Sequence, residues 1–356
     1  MKVLFLCSNL NNTGGTERVG SIIANNLSDS GYDIFFASLM GGDQPVFPIN
    51  ENIKTLSLFS SPGKALFRTP LIIRRLRQVI KDNDIDVLIV IESMLVLFTL
   101  PAVLGLPVKH ICWEHFNYNS DLGRKGRRLA RQLAARYCDS IVTLTERDKK
   151  YWLANTKHNS QITAIANPCP FSVQPSHYQS KSKTVLSVGR LAPQKGFDLL
   201  LLAWLEVIKL APDWKLKIVG DGENKAELST FILDNNLASS VELVGKTNNI
   251  EEYYNNAAIY CLSSRFEGFP MVLLETLSFG LPVVSFDCDT GPEEVLENTG
   301  SVLVEANNTH SLAIALVKLI KDESLRESIS IKSKAKAIEY QPHAIIEHWK
   351  KLLEEL

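Results

Sequence analysis

Phe266-Glu267-Gly268-Phe269-Pro270-Met271-Val272-Leu273-Leu274-Glu275 sets two carboxylates around a turn and the opening of a helix. The apolar run before it, Ile259-Tyr260-Cys261-Leu262, has the length of a buried strand. Pro270 suits the first helical position, where its missing N–H costs nothing. Gly280 then stops the helix before Pro282 opens the next apolar run. Strand, turn and helix in that order leave the unpaired N–H groups of residues 269–272 facing whatever lies beyond the strand's C-terminal end. Such an end carries about half an elementary positive charge and attracts an anion. Glu267 at that mouth, and Glu275 about two turns further on, would repel phosphate but accept hydrogen bonds from hydroxyls. A ligand with a diphosphate at its centre and hydroxyl-bearing rings at both ends satisfies all of these groups, and a nucleotide sugar is such a ligand.

Upstream, Val188-Gly189-Arg190-Leu191-Ala192-Pro193-Gln194-Lys195-Gly196-Phe197-Asp198 follows another strand-like run, Thr184 to Val188. Arg190 offers a planar fork for phosphate oxygens and Lys195 a compact charge. By itself an Arg/Lys pair is an ordinary solvated surface, and either glutamate alone is a helix-start charge. Opposite an anion-seeking helix start, the pair completes a diphosphate clamp.

The two segments together resemble the two signatures of the family-4 retaining glycosyltransferases, at the separation expected there. The resemblance covers nearly the whole chain and is strongest in its C-terminal half. It implies an α/β chain with two facing doubly wound Rossmann-like domains, the GT-B fold, and a donor site in the interdomain cleft. By the same resemblance Arg190, Lys195, the turn Gly268-Phe269-Pro270-Met271 and the pair Gly14-Gly15 hold the donor diphosphate. Glu275 would take the ribose hydroxyls, Glu267 a sugar hydroxyl, and Lys246 would lie near the base. Transfer with retention, by front-face attack in which the leaving phosphate accepts the acceptor's proton, is implied too. Side-chain cations and the helix start would supply the positive charge, so no cofactor and no metal is expected.

Outward from these segments the chain alternates strand-like and helical runs, which indicates parallel, doubly wound sheets. Val3 to Ser8, Ile34 to Leu39, Val87 to Ile91, His110 to Trp113, Ile141 to Thr145 and Ile162 to Ala166 are the strands expected in the first domain, residues 1–170. Asn167-Pro168-Cys169-Pro170 and the polar residues to about Lys183 form a breaker-rich link. Thr184 to Val188, Lys215 to Val219, Val241 to Val244, Ile259 to Leu262, Pro282 to Phe286 and Ser301 to Val304 build the second domain, residues 180–341. The last helix, residues 343–356, would cross back onto the first domain with Trp349 in its apolar side.

Gly14 and Gly15 follow the first strand, and Thr16 is suited to be a helix N-cap. The glycines are too few for a dinucleotide fingerprint and alone would mean a tight turn. Cys112-Trp113-Glu114-His115-Phe116-Asn117 lies past a strand end, where open α/β sheets build ligand sites. The resemblance puts His115 beside the donor sugar, near the reacting carbon; Glu114 either orients it or is structural.

The chain carries a net charge of −1, with 45% hydrophobic residues and no low-complexity tract, as in soluble globular proteins. No apolar run reaches the roughly 18 residues of a membrane span. Six scattered cysteines suggest reduced thiols of a cytoplasmic protein. Residues 1–170 hold 20 Lys+Arg against 14 Asp+Glu, a balance of +6, and the remainder 18 against 25, a balance of −7. Arg74, Arg75 and Arg77 mark one side of a helix opened by Thr69-Pro70. Arg124, Arg127, Arg128 and Arg131 share a face of another, with Leu129 and Leu133 turned to the core. Two basic faces in the positive half suggest contact with the inner face of the cytoplasmic membrane and a lipid-linked saccharide acceptor, with nothing that points to nucleic acid. The expected activity is transfer of a hexose or N-acetylhexosamine from a nucleotide sugar, UDP-linked, to a polyprenyl-diphosphate-linked saccharide in O-antigen or capsule assembly. A nucleotide-sugar epimerase or hydrolase of the same fold, and a non-catalytic partner subunit, are the alternatives.

Overall fold

In the computed structural model, which describes all residues except 43, 62, 64, 122 and 175–177, the chain divides into two units. Met1–Pro170 and Pro342–Leu356 form the first, Phe171–Gln341 the second. The first contains a seven-stranded sheet of β1 (Lys2–Cys7), β2 (Asp33–Ser38), β3 (Lys54–Ser57), β4 (Val87–Ile91), β5 (Lys109–Trp113), β6 (Ser140–Thr143) and β7 (Gln161–Ala164). Its order is β3-β2-β1-β4-β5-β6-β7, and every pairing is parallel. The second contains β8 (Thr184–Val188), β9 (Lys215–Val219), β10 (Val241–Gly245), β11 (Ile259–Leu262), β12 (Val283–Asp287) and β13 (Val302–Glu305), all parallel, in the order β10-β9-β8-β11-β12-β13.

Parallel strands need crossover connections, and helices between them cover the sheet, so the central strands read as unbroken apolar runs. Val87–Ile91 is buried at all five positions. Leu4, Leu6, Phe35, Leu88 and Val90 meet Ile72, Leu76 and Ile80 of the helix Thr69–Asp82 in one core. Trp204, Leu216, Ile218, Cys261 and Phe286 anchor the core of the second unit. Strand order reverses between β1 and β4 in one sheet and between β8 and β11 in the other. Crevices beyond the C-terminal ends of such strand pairs are where doubly wound folds bind ligands.

β3 goes beyond the sequence reading. Its four residues pair with β2 at the sheet edge, and only Leu56 is even half-buried, so it has no apolar period to betray it. The helix after β1 starts at Gly15 with Gly14 as its N-cap, two residues ahead of the expected Thr16. The breaker-rich link ends earlier than its composition suggests. Phe171 already belongs to the second unit, its ring meeting those of Tyr254 and Phe279 at 6.4 and 5.6 Å, and its carbonyl accepting from Ser278 and Gln341. Apolar burial at one residue outweighs the polar run behind it. The helix Pro342–Glu354 returns to the first unit, where Trp349 packs edge-on to Trp113 with ring centroids 4.8 Å apart. All six cysteines are buried and none is in a disulfide among the described residues, and no described helix is long and apolar enough to cross a membrane.

Candidate active site

Two loops leave the second sheet at its reversal point, residues 189–196 after β8 and 263–270 after β11. They are laced together. Ser263 Oγ donates to the Lys195 carbonyl (2.9 Å), the Arg265 N–H to that of Gln194 (2.8 Å), and Gln194 Nε2 to that of Phe266 (3.0 Å). The Arg265 guanidinium donates to both oxygens of Asp198 at 2.8 and 2.6 Å, which holds that carboxyl below its ordinary range. Gly196 makes the approach possible. Its φ is +63°, and a Cβ there would lie 2.1 Å from the Ser263 carbonyl oxygen.

This lacing presents Lys195 to Glu267. The ammonium donates to Oε1 at 2.7 Å, and Ser264 Oγ donates to the same oxygen at 2.6 Å. Both partners sit on the laced loops and together hold the buried Glu267 carboxylate. Thr290 Oγ1, in the loop after β12, donates to the carbonyls of Glu267 and Gly268 (2.7 and 3.0 Å) and pins the turn. The helix begins at Met271 with Pro270 as its N-cap, one residue later than expected, so Phe269 and Pro270 belong to the turn. Glu275, one of the helix's buried residues, accepts from Tyr254 Oη at 2.6 Å. Arg190 is different in kind. Its side chain is 73% exposed and pairs with Glu223 at 3.1 Å. Lys246 follows β10, two strands from β8, and is exposed.

The first unit gathers its candidates at the C-terminal edge of β1, β4 and β5. A Cβ at Gly14 would lie 2.3 Å from Glu17 Oε2, whereas one at Gly15 would meet nothing within 4 Å. The buried Glu17 is held there by Thr16 Oγ1 (2.7 Å) and Asn12 Nδ2 (3.4 Å). The chain's own carboxylate therefore stands at Gly14, and the open approach is at Gly15. His115 is buried against Trp113 with ring centroids 4.5 Å apart, and its Nε2 has no hydrogen-bond partner among the described residues. Burial, partly offset by Glu114, pushes its pKa down to about 4, so the ring is neutral at physiological pH. Glu114 accepts from the His115 and Phe116 N–H groups (3.1 Å each), from Ser93 Oγ (2.5 Å) and from Arg131 Nε (3.0 Å).

Here the basic face read from the helix Lys125–Tyr137 is corrected. Arg127 and Arg131 are 2% and 1% exposed and point inward. Arg131 Nη2 also donates to the carbonyls of Asn117 and Ser120 (2.9 and 3.2 Å), and Nη1 to that of Tyr118, so it caps the loop after β5. Arg127 Nη2 donates to Glu92 Oε1 at 2.7 Å. Leu129, expected in the core, is 57% exposed. The arginine face is the inner face because the half-buried Glu92 and the buried Glu114 await it, and no local pattern reveals carboxylates so far away in the chain. Arg124 and Arg128 stay outside, Arg128 pairing with Asp121 at 3.0 Å. On the helix Thr69–Asp82, Arg74 and Arg75 are exposed, although Arg75 also donates to the Leu58 carbonyl. Arg77 donates to those of Ala102 and Leu104 at 2.9 and 2.7 Å.

Sequence reasoning passed over Ser264, Thr290, Tyr254 and Glu92. The hydroxyl residues carry no distinguishing local signal. Glu92 does: it is a carboxylate directly after the all-apolar strand β4, the same signal that singled out His115.

Residues 13–171 match the family model Glycosyltransferase Family 4, and residues 171–336 match Glycosyl transferases group 1. An uncharacterized glycosyltransferase of Haemophilus influenzae is 38% identical over 353 residues, covering 99% of both chains. The amylovoran biosynthesis glycosyltransferase AmsD of Erwinia amylovora is 32% identical over 360 residues, again 99% of both. The Campylobacter jejuni enzyme GalNAc-alpha-(1->4)-GalNAc-alpha-(1->3)-diNAcBac-PP-undecaprenol alpha-1,4-N-acetyl-D-galactosaminyltransferase is 28% identical over 366 residues, 100% of this chain and 99% of its own. Among solved structures, Anabaena HepE in complex with UDP aligns with a TM-score of 0.82 at 19% identity, covering 100% of both chains.

Proposed function

The chain belongs to the glycosyltransferases of family 4 and group 1 and has their GT-B type of fold, and from that premise we propose that it transfers a hexose or N-acetylhexosamine from a UDP-sugar to a polyprenyl-diphosphate-linked saccharide. The observation that carries this reading is the Lys195–Glu267 pair at the reversal point of the second sheet. A cation and a carboxylate 2.7 Å apart in front of a helix start suit a diphosphate next to a sugar hydroxyl. Arg190 and Lys195 take the phosphates, and Glu275 takes the ribose. The exposed Arg190 can leave Glu223 at little cost, because exposed pairs contribute only ~0–1 kcal/mol.

Glu267 acts in this scheme by positioning. Its Oε1 accepts from Lys195 and Ser264, which suits the carboxylate to holding a sugar hydroxyl in place. Retention then runs by front-face attack, with the leaving phosphate taking the acceptor hydroxyl's proton. Arg190 and Lys195 neutralise the charge that develops on the diphosphate, and no metal is required for that. The acceptor class follows the Campylobacter relative, whose name specifies a PP-undecaprenol-linked saccharide, and surface-polysaccharide assembly follows AmsD. Action at the inner face of the cytoplasmic membrane belongs to the same reading.

The test is a donor panel against the purified chain with a polyprenyl-diphosphate saccharide, read by mass spectrometry. Acceptor-dependent release of UDP, with a product one sugar heavier, is expected. Release of UDP at the same rate without acceptor would point to a hydrolase, and interconversion of the donor would point to an epimerase.

A further inference from the structure

Glu92 sits in left-handed backbone, φ 87° and ψ 129°, immediately after β4. A non-glycine residue held there is strained and persists where its surroundings over-determine it. Because β4 lies between β1 and β5, Glu92 stands between the chain after β1 and the segment Glu114–Asn117, at the reversal point of the first sheet. Its Oε1 accepts from Arg127, and its side chain is 18% exposed with no other hydrogen-bond partner among the described residues.

The groups behind it are incompletely satisfied. Arg127, over the Phe116 ring at 4.2 Å, leaves Nε and Nη1 without hydrogen-bond partners, although Nη1 is 3.8 Å from Glu114 Oε1. His115, past the end of the neighbouring strand, leaves Nε2 unpartnered. Buried polar groups are normally partnered, so these nitrogens mark the strand edge behind the accessible Glu92 carboxylate as built for a purpose beyond packing. A phosphate would meet the Glu92 and Glu114 carboxylates, whose cations Arg127 and Arg131 are already paired with them. A neutral ring bearing hydroxyls can donate to the part-exposed Glu92 carboxylate.

We propose that Glu92 is an acceptor-binding residue, its free oxygen accepting from a hydroxyl of the acceptor saccharide while Arg127 fixes its pose. This rests on the reading that the chain glycosylates a saccharide. The experiment compares the full-length parent with Glu92→Gln, Glu92→Asp and the double variant Glu92→Gln/Arg127→Gln, which removes the buried cation along with its partner. Acceptor KM, kcat and donor KM are measured with the polyprenyl-diphosphate saccharide, and UDP affinity by calorimetry. Acceptor KM rises about tenfold or more in the Gln and double variants, the equivalent of one hydrogen bond to a charged group, while UDP affinity holds. Acceptor KM unchanged in every folded variant, or acceptor and donor constants moving together, overturns the assignment of Glu92 and leaves the activity standing. Should the parent transfer nothing, the proposed activity is the reading that fails. Saturation-transfer NMR with the free saccharide then decides Glu92. A saccharide signal that the parent gives and Glu92→Gln does not supports the assignment, and a parent that gives no signal overturns it.

Discussion

The two sheet reversal points are built by opposite means. In the second unit the chemistry-bearing groups ride on two loops laced through their backbones, and the cations reach the surface, with Arg190 largely exposed and Lys195 partly so. In the first unit the corresponding edge is a buried ionic lattice, Glu92–Arg127 and Glu114–Arg131, beside a neutral imidazole. Exposed cations are cheap to re-aim at an arriving anion. Buried ion pairs are fixed, because a charge left alone in a low dielectric is costly. One edge is suited to capturing a charged ligand, the other to holding a shape.

That contrast predicts where stability and activity part company. Arg131→Met takes the paired cation from the buried Glu114 carboxylate and uncaps the carbonyls of residues 117, 118 and 120, and we expect a loss of about 3–5 kcal/mol in urea unfolding. Arg190→Ala should cost under about 0.5 kcal/mol by the same measurement. Equal losses at the two positions would break the comparison.

Lys195→Ala comes next. Removing a charge aimed at the leaving diphosphate should lower kcat by about 10²–10³-fold. Its effect on stability should stay within about 1–2 kcal/mol, because Ser264 still holds Glu267 and the other loop contacts remain. A variant that kept full activity would remove Lys195 from the chemistry.

The same contrast explains what the sequence let through. The second site is written locally: glycine, arginine, lysine and the glutamate pair lie on two short segments, each following an apolar strand. Twelve of the thirteen described strands carry a readable apolar run, and only β3, at the edge, does not. The first site is written at long range. Arg127 meets a carboxylate 35 residues away and Arg131 one 17 residues away, so helical periodicity showed an arginine face but not its direction. Periodicity says which residues share a face, and only the tertiary partner says whether that face is wet. The same limit hid Tyr254 from Glu275.

Titration sharpens the comparison. His115 has its pKa lowered from 6.5 to about 4, so between those values the unfolded chain binds a proton that the folded chain refuses. Its contribution to stability therefore falls as pH drops from 6.5 towards 4, by roughly 2–4 kcal/mol. His115→Gln should remove about half of the histidine-driven pH dependence of unfolding over that window, the buried His110, also lowered to about 4, keeping the rest. The parent's ring proton resonance should not titrate above about pH 5, and a midpoint near the ordinary value of about 6.5 would place the imidazole in water. In the second unit Asp198 is shifted down, so its stabilisation is lost only below the ordinary carboxylate range.

The smallest effects belong to the arginines that the fold left outside. Arg74 and Arg128 remain exposed on two helices of the first unit, while Arg127 and Arg131 are committed inside. If the outer pair meets anionic headgroups, each should contribute about 1 kcal/mol, or roughly fivefold in affinity for liposomes containing anionic lipid. Arg74→Ala and Arg128→Ala should then show additive losses that shrink as ionic strength rises, since screening acts within about 10 Å at 0.1 M salt. UDP affinity and unfolding free energy should stay at parental values, because neither side chain holds any buried group. Parental binding to anionic liposomes in the double variant would deny these arginines a membrane role. The basic balance of residues 1–170 would then reflect the buried lattice, where two of its arginines already stand.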